Sequence, residues 1–468
     1  MEMLQGIHKM KKLLPVYKNE SIPKLQSESG PQHPKKSFYI ETYGCQMNVS
    51  DSELMTGVLT KAGYEITNDI NSANVVLINT CAIRENAEEK VLNRLEHLNA
   101  IKRRNTEMVL GICGCMAQHM RTMVLEAAPY IDLILGPDAY RSLPQALDSI
   151  NSKDTFVNLK LDKSEDYADI SPIRKDGIRA WLTIQRGCDK MCSFCVVPFT
   201  RGRERSLPIP MLVKEVESLV DEGFKEVVLL GQTVNSYYDG THNFGDLLFA
   251  INQVEGIERI RFTSPHPSDA TKTMIDAIAS CEKVCKQIHL PLQSGSTKIL
   301  SDMHRTYTAD EYRELVFDLR NQIPNLAIST DIIVGFCGET EEDFQKTHDL
   351  INEIRYDSAF MFKYSDRNGT LANRTLKDNV PEEEKIRRLQ TIIDLQYRIS
   401  HEINQKRVGE TIQVLVEGES RKSKADYFGK DDTFKTTVFP RKNAQIGETV
   451  NVKVHTASAN TLIGNVTS

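Results

Sequence analysis

The sequence has no apolar run of the roughly 18–20 residues that a membrane-spanning helix needs. Its first 36 residues, with seven lysines and three acidic residues, also lack the apolar stretch and small-residue cleavage site of a secretory signal. We therefore predict a cytoplasmic protein without a membrane partner. We interpret residues 1–36 as a disordered basic extension, with an organelle presequence as the alternative.

The chain also lacks the excess of positive charge that binds nucleic acid by bulk electrostatics, since its formal net charge is −6. Any contact with RNA must therefore come from local basic patches. The run RGRER, with Arg201, Arg203 and Arg205, is one candidate patch, because guanidinium groups pair with phosphate through two hydrogen bonds. A solvated charged turn is the alternative interpretation of this run.

What the chain does have is ten cysteines, three of them within eight residues. Cys188, Cys192 and Cys195 form a C-x3-C-x2-C run directly after a predicted strand, which is too crowded for a disulfide framework. Three such thiolates can hold three irons of a [4Fe–4S] cluster and leave the fourth iron open to bind S-adenosylmethionine (SAM) and reduce it. A zinc site is the alternative, but no second cysteine or histidine pair lies nearby in the sequence.

Short apolar runs alternate with helical patterns in the first third of the chain. This alternation predicts an α/β domain with a parallel sheet over residues 37–152, followed by a polar linker over 151–175. The predicted strands are 38–42, 75–78, 108–112 and 131–135, with helices at about 51–62 and from about residue 85.

A second α/β series covers residues 175–405 and contains six predicted strands, which favours a partial (βα)6 barrel over the closed eight-unit form. From residue 406 to 468 the pattern changes to short alternating strands, which predicts a small β-barrel of the size that binds nucleic acid. The six predicted strands are 180–185, 226–230, 259–263, 287–292, 327–334 and 358–364.

Three further cysteines, Cys45, Cys81 and Cys115, each follow a predicted parallel strand of the first domain. Because the carboxyl ends of parallel strands meet at one edge of a sheet, we expect their thiols at one site. Three buried structural cysteines are the alternative. Cys113 competes with Cys115 for the role of ligand, and we prefer Cys115 because Cys113 belongs to the preceding strand. Ordinary core or surface roles are expected for the remaining thiols, Cys281, Cys285 and Cys337.

Candidate SAM-binding residues follow the strands of the second series, because active-site groups of α/β barrels collect at this strand end. A glycine there lets the backbone approach a ligand closely, although a plain strand terminator is the alternative interpretation. The candidates are Gly231, Gln232, Ser264, Gln293 and Gly335.

Together, several motifs resemble the methylthiotransferase family over residues 37–468. They are ETYGCQMN, INTCAIRENAEEK, GCMAQ, QRGCDKMCSFCVVPFTRGRERS, LLGQTVNSY, FTSPHP and STDIIVGFCGETEEDF. The resemblance implies an auxiliary [4Fe–4S] cluster on Cys45, Cys81 and Cys115. It also implies a second cluster on the C-x3-C-x2-C run, a SAM-binding barrel, and a C-terminal TRAM domain that binds RNA.

Within that family the chain is most similar to the branch that converts N6-dimethylallyladenosine at tRNA position 37 to its 2-methylthio form, using two SAM per product. It departs from the branch pattern at Thr233, at Cys337 and over 365–370, and residues 408–468 are only weakly basic, with eight Lys and Arg against seven Asp and Glu. The resemblance implies a monomer that acts on the tRNA anticodon stem–loop. The expected partners are an electron donor such as flavodoxin or ferredoxin and iron–sulfur assembly proteins.

Three alternatives remain open at this point. Two are other branches of the same family, which methylthiolate a ribosomal protein or threonylcarbamoyladenosine in tRNA. The third is a non-enzymatic iron–sulfur carrier, which needs no SAM barrel.

Overall fold

The computed structural model describes residues 16–17, 36–81, 85–150, 154–174 and 177–467. The predicted basic extension therefore lies almost entirely outside the described residues. The chain divides into two compact units, one formed by residues 1–176, 186–189 and 196–205 and the other by 177–185, 190–195 and 206–468. None of the helices in the described part is both long and apolar enough to cross a membrane.

The first unit is built on a mostly parallel sheet in the order β1-β2-β4-β5-β6-β7, with β3 also paired to β2 and the two-residue β1 antiparallel at the edge. Its strands are β1 (Val16–Tyr17), β2 (Ser37–Tyr43), β3 (Glu65–Ile66), β4 (Val75–Thr80), β5 (Val109–Gly114), β6 (Leu133–Leu135) and β7 (Phe156–Asn158). Its helices are α1 (Gln46–Lys61), α2 (Glu85–Lys102), α3 (Cys115–His119), α4 (Arg121–Ala127), α5 (Leu143–Ser149) and α6 (Val197–Arg201).

Strand β4 shows why this sheet forms, because every one of its residues is buried. Val75 and Leu77 pack into one apolar cluster, and Val76 and Ile78 pack into a second cluster on the opposite face. A strand in a sheet that is covered on both faces is apolar along its whole length. Such continuous apolar runs are the pattern from which these strands were predicted.

The predicted linker over 151–175 is wrong in part. It contains β7, which extends the sheet beside β6, and Tyr167, which is buried and donates a hydrogen bond to the carbonyl of Pro137. The polar composition of this stretch concealed an edge strand, since an edge strand buries less of its length than a central one.

The second unit contains the six strands expected for a partial barrel, all parallel in the two sheets β8-β11-β12 and β13-β14-β15. The α/β fold class is confirmed. The strands are β8 (Arg179–Thr183), β11 (Glu226–Leu230), β12 (Arg259–Phe262), β13 (Gln287–His289), β14 (Ala327–Val334) and β15 (Ser358–Lys363), and two short strands, β9 (Gln185–Arg186) and β10 (Arg205–Ser206), lie where the chain passes between units. The helices are α7 (Ile209–Asp221), α8 (Phe244–Asn252), α9 (Lys272–Ser280), α10 (Thr297–Asp302), α11 (Ala309–Gln322), α12 (Glu341–Ile354), α13 (Leu371–Thr375) and α14 (Glu382–Gln405).

A closed five-stranded barrel ends the same unit, in the order β16-β17-β18-β20-β19. Closure leaves no sheet edge open to a second chain. The strands are β16 (Thr411–Ser420), β17 (Ser423–Lys430), β18 (Thr436–Pro440), β19 (Thr449–Ala457) and β20 (Leu462–Val466).

This small barrel is fastened to the amino-terminal ends of β8, β11 and β12. Arg259 donates to the carbonyl of Lys430 at 2.6 Å. Glu226, which is fully buried, accepts hydrogen bonds from Arg179 and Arg261. Burial alone would raise the pKa of the Glu226 carboxyl, but Arg261 and Arg179 outweigh it and hold the pKa below its usual value.

Candidate functional site

Cys45, Cys81 and Cys115 are brought together by the register of the first sheet. The ends of the three strands are paired, Tyr43 with Thr80 and Thr80 with Gly114. Each cysteine follows its strand end by one or two residues. The prediction that Cys113 belongs to the strand and Cys115 lies beyond it is confirmed.

Close approach at this edge requires a glycine before Cys45. A Cβ atom at Gly44 would lie 2.6 Å from the Cβ of Cys81, too close for any side chain. Asn48 also fixes the loops, because its Nδ2 donates to the carbonyl of Thr80 at 2.9 Å, and Asn79 donates back to the carbonyl of Asn48 at 2.7 Å. The backbone that presents the thiols is therefore held on both sides.

The thiols of this edge differ in their electrostatic surroundings. A hydrogen bond with Cys81 lowers the pKa of Cys45 to about 6, and the charge of Arg201 acts in the same direction. Burial raises the pKa of Cys115, while Arg201, whose Nε lies 3.1 Å from the Cys115 sulfur, works against that rise. Cys113 has only burial acting on it, and its pKa is strongly raised. A metal binds the thiolate form, so burial makes Cys113 a poorer ligand than Cys45.

The donors at this edge of the sheet are three cysteine sulfurs, the ligand type that iron–sulfur clusters use. Within the part of the chain that the structure describes, no three His, Cys, Asp or Glu side chains are grouped as the ligands of one metal ion. In a cubane each thiolate binds a different iron, so the sulfurs need not converge on one point. Three thiols at one sheet edge, one already favouring the thiolate form, fit such a cluster.

The C-x3-C-x2-C loop is anchored at several backbone positions. In the first unit, the amide of Cys188 donates to the carbonyl of Gly202 at 3.0 Å, and Gly187 is required before it because a Cβ there would lie 2.0 Å from the carbonyl oxygen of Arg203. In the second unit, the amide of Cys195 donates to the carbonyl of Cys192 at 3.1 Å. These hydrogen bonds hold the loop backbone at Cys188 in the first unit and at Cys195 in the second unit.

Arg305 is a functional candidate that the sequence analysis missed. Its Nη1 lies 3.3 Å from the sulfur of Cys192, and its Nε donates to the hydroxyl of Tyr307 at 3.0 Å. It lies 113 residues beyond Cys192 in the chain. No local pattern could have paired the two residues.

The candidate SAM-binding residues lie at the carboxyl ends of β11, β12, β13 and β14. Ser264 and Gln293 have positive φ angles of 56° and 71°, a backbone conformation that is uncommon for non-glycine residues. Gln232 Oε1, after β11, and Gln185 Oε1, after β8, are buried without a hydrogen-bond partner among the described residues. Unpaired buried acceptors of this kind fit a ligand that donates hydrogen bonds.

The three arginines of RGRER have different surroundings from those expected of a single RNA-facing patch. The buried Arg201 pairs with Asp51 at 2.7 Å, and Arg205 pairs with Asp138 at 2.8 Å, where little of its side chain is exposed. Arg203 is 65% exposed, beside Asp189. Two of the three guanidinium groups are thus committed to ion pairs inside the first unit.

Three family models match the chain: Uncharacterized protein family UPF0004 over residues 37–136, the Radical SAM superfamily over 182–351 and the TRAM domain over 405–467. A tRNA-2-methylthio-N(6)-dimethylallyladenosine synthase from Chloroherpeton thalassium is 46% identical over 96% of this chain and 99% of the relative. A synthase of the same name from Christiangramia forsetii is 44% identical over 92% and 93%.

Among solved structures, the cobalamin-dependent S-adenosylmethionine radical enzyme OxsB aligns with a TM-score of 0.50 at 13% identity, covering 78% of this chain and 57% of that one. A likeness at this identity speaks to the fold alone.

Proposed function

The chain belongs to the tRNA-2-methylthio-N(6)-dimethylallyladenosine synthases, and we propose that it converts N6-dimethylallyladenosine at position 37 of tRNA to the 2-methylthio derivative. The observation that carries this proposal is near full-length similarity to synthases of that name, at 46% identity in the first of them. The three cysteines at one edge of the first sheet support it, because sulfur insertion needs a site apart from the SAM-binding barrel.

The Radical SAM match implies SAM and a [4Fe–4S] cluster. Cys188, Cys192 and Cys195 would hold that cluster, and Arg305 would donate to the sulfur of Cys192. When bound, the cluster supplies the electron that cleaves SAM, a step that no side chain can perform. We assign Cys45, Cys81 and Cys115 to a second, auxiliary [4Fe–4S] cluster, which would serve as the site of sulfur attachment.

Gly231, Gln232, Ser264, Gln293 and Gly335 are the residues we assign to SAM. Gln185 and Gln232 would use their unpaired Oε1 atoms to accept hydrogen bonds from the amino group or the ribose hydroxyls of SAM. Glu339 would stiffen the last of these strand ends, since its carboxylate accepts from the amide of Gly335 at 2.8 Å while pairing with Arg388.

For tRNA, we assign the exposed Arg203 and the C-terminal barrel as contact sites, with the anticodon stem–loop as the part of tRNA that is bound. Single-stranded loops suit this chemistry because their bases can leave the stack. Arg201 and Arg205 are left out of the RNA surface, since their guanidinium groups are held by Asp51 and Asp138. A flavodoxin or ferredoxin as electron donor, assistance from iron–sulfur assembly proteins, a monomeric state and a cytoplasmic location complete the proposal.

Nucleoside analysis of tRNA from cells that lack this protein is the direct test. We expect the 2-methylthio nucleoside to disappear and N6-dimethylallyladenosine to accumulate. In a second experiment the reduced, reconstituted enzyme receives dimethylallylated tRNA, unmodified tRNA and a ribosomal protein. Modification of the ribosomal protein and not of the dimethylallylated tRNA would refute the proposal.

A further inference from the structure

Arg201 of the RGRER run contacts a cysteine of the auxiliary site. Its Nε lies 3.1 Å from the sulfur of Cys115, and its Nη2 donates to Asp51 at 2.7 Å. Both contacts lie within the first unit, although Arg201 follows the C-x3-C-x2-C loop in the chain. The same guanidinium therefore joins a candidate iron ligand to a buried carboxylate.

The remaining nitrogen of Arg201, Nη1, is buried and has no hydrogen-bond partner among the described residues. A buried N–H group without an acceptor costs free energy, so such groups in folded proteins usually bond a protein group, an ordered water, a ligand or an ion. Because Nε of this guanidinium already contacts the Cys115 sulfur, the acceptor that fits is an anionic sulfur at the auxiliary site.

The charge balance around Asp51 also favours an anion. This carboxylate is fully buried and pairs with two guanidinium groups, Arg186 at 3.0 Å and Arg201 at 2.7 Å. One negative and two positive charges leave a surplus of one positive charge beside the thiols. The surplus remains when the neighbouring pair of Asp138 and Arg205 is included, since Arg186 also acts on Asp138 and two carboxylates then face three guanidinium groups.

We propose that Arg201 is a positioning residue of the auxiliary cluster, which orients the Cys115 sulfur and stabilises the negative charge of the cluster and its bound sulfur. Asp51 fixes the orientation of Arg201, and the negative charge of its carboxylate partly offsets the positive charge of the guanidinium near the cluster. This inference rests on the proposed function, because it needs the auxiliary cluster to exist. Mutation of a residue that orients a metal ligand commonly lowers metal affinity about 10- to 100-fold.

The test uses the full chain, reconstituted with iron and sulfide, in a background in which Cys188, Cys192 and Cys195 are alanine and only the auxiliary cluster remains. A redox titration followed by electron paramagnetic resonance gives the midpoint potential, and competition with a chelator gives iron affinity. Arg201→Gln should move the potential to more negative values, because it removes positive charge that favours the reduced cluster, and should weaken iron affinity about 10- to 100-fold. Arg201→Lys should keep the potential near that of the unsubstituted protein.

Asp51→Asn provides the opposite change, since it removes negative charge and should move the potential to more positive values. Arg94→Gln is the matched control, because it removes one guanidinium group from an ion pair with another buried carboxylate of the first unit, Glu41, and it should leave both measurements unchanged. Opposite shifts for the variants of Arg201 and Asp51 distinguish an electrostatic role from a general loss of structure. Equal potentials for all variants would overturn the inference even if tRNA modification proceeds. If Arg201→Gln does not fold, the midpoint potentials of Asp51→Asn and Arg201→Lys still test the inference. An unchanged potential in Asp51→Asn would then overturn it.

Discussion

Arg261 donates from Nη2 to the backbone carbonyl of Asp431 at 2.7 Å and thereby ties strand β12 to the C-terminal barrel. Its guanidinium also lies 4.9 Å from the centroid of the Phe434 ring. The small barrel is therefore held at the amino-terminal strand ends, while the candidate SAM residues Gly231, Gln232 and Ser264 follow the carboxyl ends of β11 and β12. At about 3.3 Å per residue the five-residue β11 separates these two ends by roughly 16 Å.

Replacing Glu226 by Gln should destabilise the second unit. The change leaves the buried Arg261 without its carboxylate, while Arg179 keeps Glu417, and loss of one partner from a buried ion pair typically costs about 3–5 kcal/mol. Denaturant unfolding of the cluster-free chain can be followed through the fluorescence of Trp181, the only tryptophan, which lies on β8. Asp276→Asn, which removes an exposed partner of Lys272, should cost less than about 1 kcal/mol. Equal losses for both variants would contradict the role of this junction.

The same carboxyl group predicts a dependence of stability on pH. The pKa of Glu226 is lower in the folded protein than its usual value of 4.5. The carboxylate therefore contributes stability that is fully present above the unfolded pKa and is lost as the pH falls through the folded one. The stability difference between the natural chain and Glu226→Gln should stay constant from pH 8 to about pH 5.5 and shrink below about pH 4.5. A difference that grows on acidification would contradict this sign.

The strands could be predicted from the sequence because their apolar runs are local, and Cys45, Cys81 and Cys115 could be grouped because parallel strands share an edge. The contacts of Arg201 could not be predicted, since Asp51 lies 150 residues away from it in the chain. A run of arginines has the same composition whether it faces RNA phosphates or buried carboxylates. Only the packing of α6 against α3 distinguishes the two cases.

The two cysteine groups should have separable roles. The natural chain, reconstituted without oxygen, should bind about eight irons as two clusters. Alanine at Cys188, Cys192 and Cys195 should leave about four irons and abolish SAM cleavage, because the cluster that reduces SAM is lost. An intact protein with about four irons, or an unchanged iron content in the variant, would contradict the assignment of two sites.

The complementary variant, with alanine at Cys45, Cys81 and Cys115, should still release 5′-deoxyadenosine from SAM. It should form no methylthio nucleoside, because the proposed site of sulfur attachment is gone. Both products can be measured in one reaction by liquid chromatography and mass spectrometry. Methylthiolated tRNA at the level of the natural enzyme would refute the role of these cysteines.

Single alanine substitutions of Cys113 and Cys115, which lie two residues apart in the chain, test which of the two thiols binds the auxiliary cluster. Cys113→Ala should retain the auxiliary iron and lose about 1 kcal/mol of stability, since it removes one buried sulfur from an apolar cluster. Cys115→Ala should lose the iron, because this thiol follows the strand end and contacts Arg201. Iron analysis and denaturant unfolding of both variants decide the assignment, and loss of iron only in Cys113→Ala would reverse it.

The tip of the β16–β17 hairpin should contribute to tRNA binding. Arg421, Lys422 and Lys424 are exposed there, beside the turn in which Ser420 pairs with Ser423. Replacing all three by Gln should weaken tRNA affinity. It should also make the plot of log affinity against log salt concentration less steep, by about 1 for each phosphate that the variant no longer neutralises. SAM cleavage without tRNA should not change, since the C-terminal barrel is fastened at the strand ends opposite the candidate SAM residues. Binding at several salt concentrations gives both quantities.

The matched control removes the same number of positive charges from the second unit at a distance from the hairpin. Lys272, Lys298 and Lys346 lie at the starts of α9 and α10 and in α12, and each is exposed and paired with a carboxylate four residues away. Their replacement by Gln changes net charge equally, so an effect of bulk charge would weaken tRNA binding as much as the hairpin variant does. We expect a much smaller effect, because these lysines are already neutralised locally. Equal decreases in affinity for the two triple variants would show that the hairpin makes no special contact with tRNA.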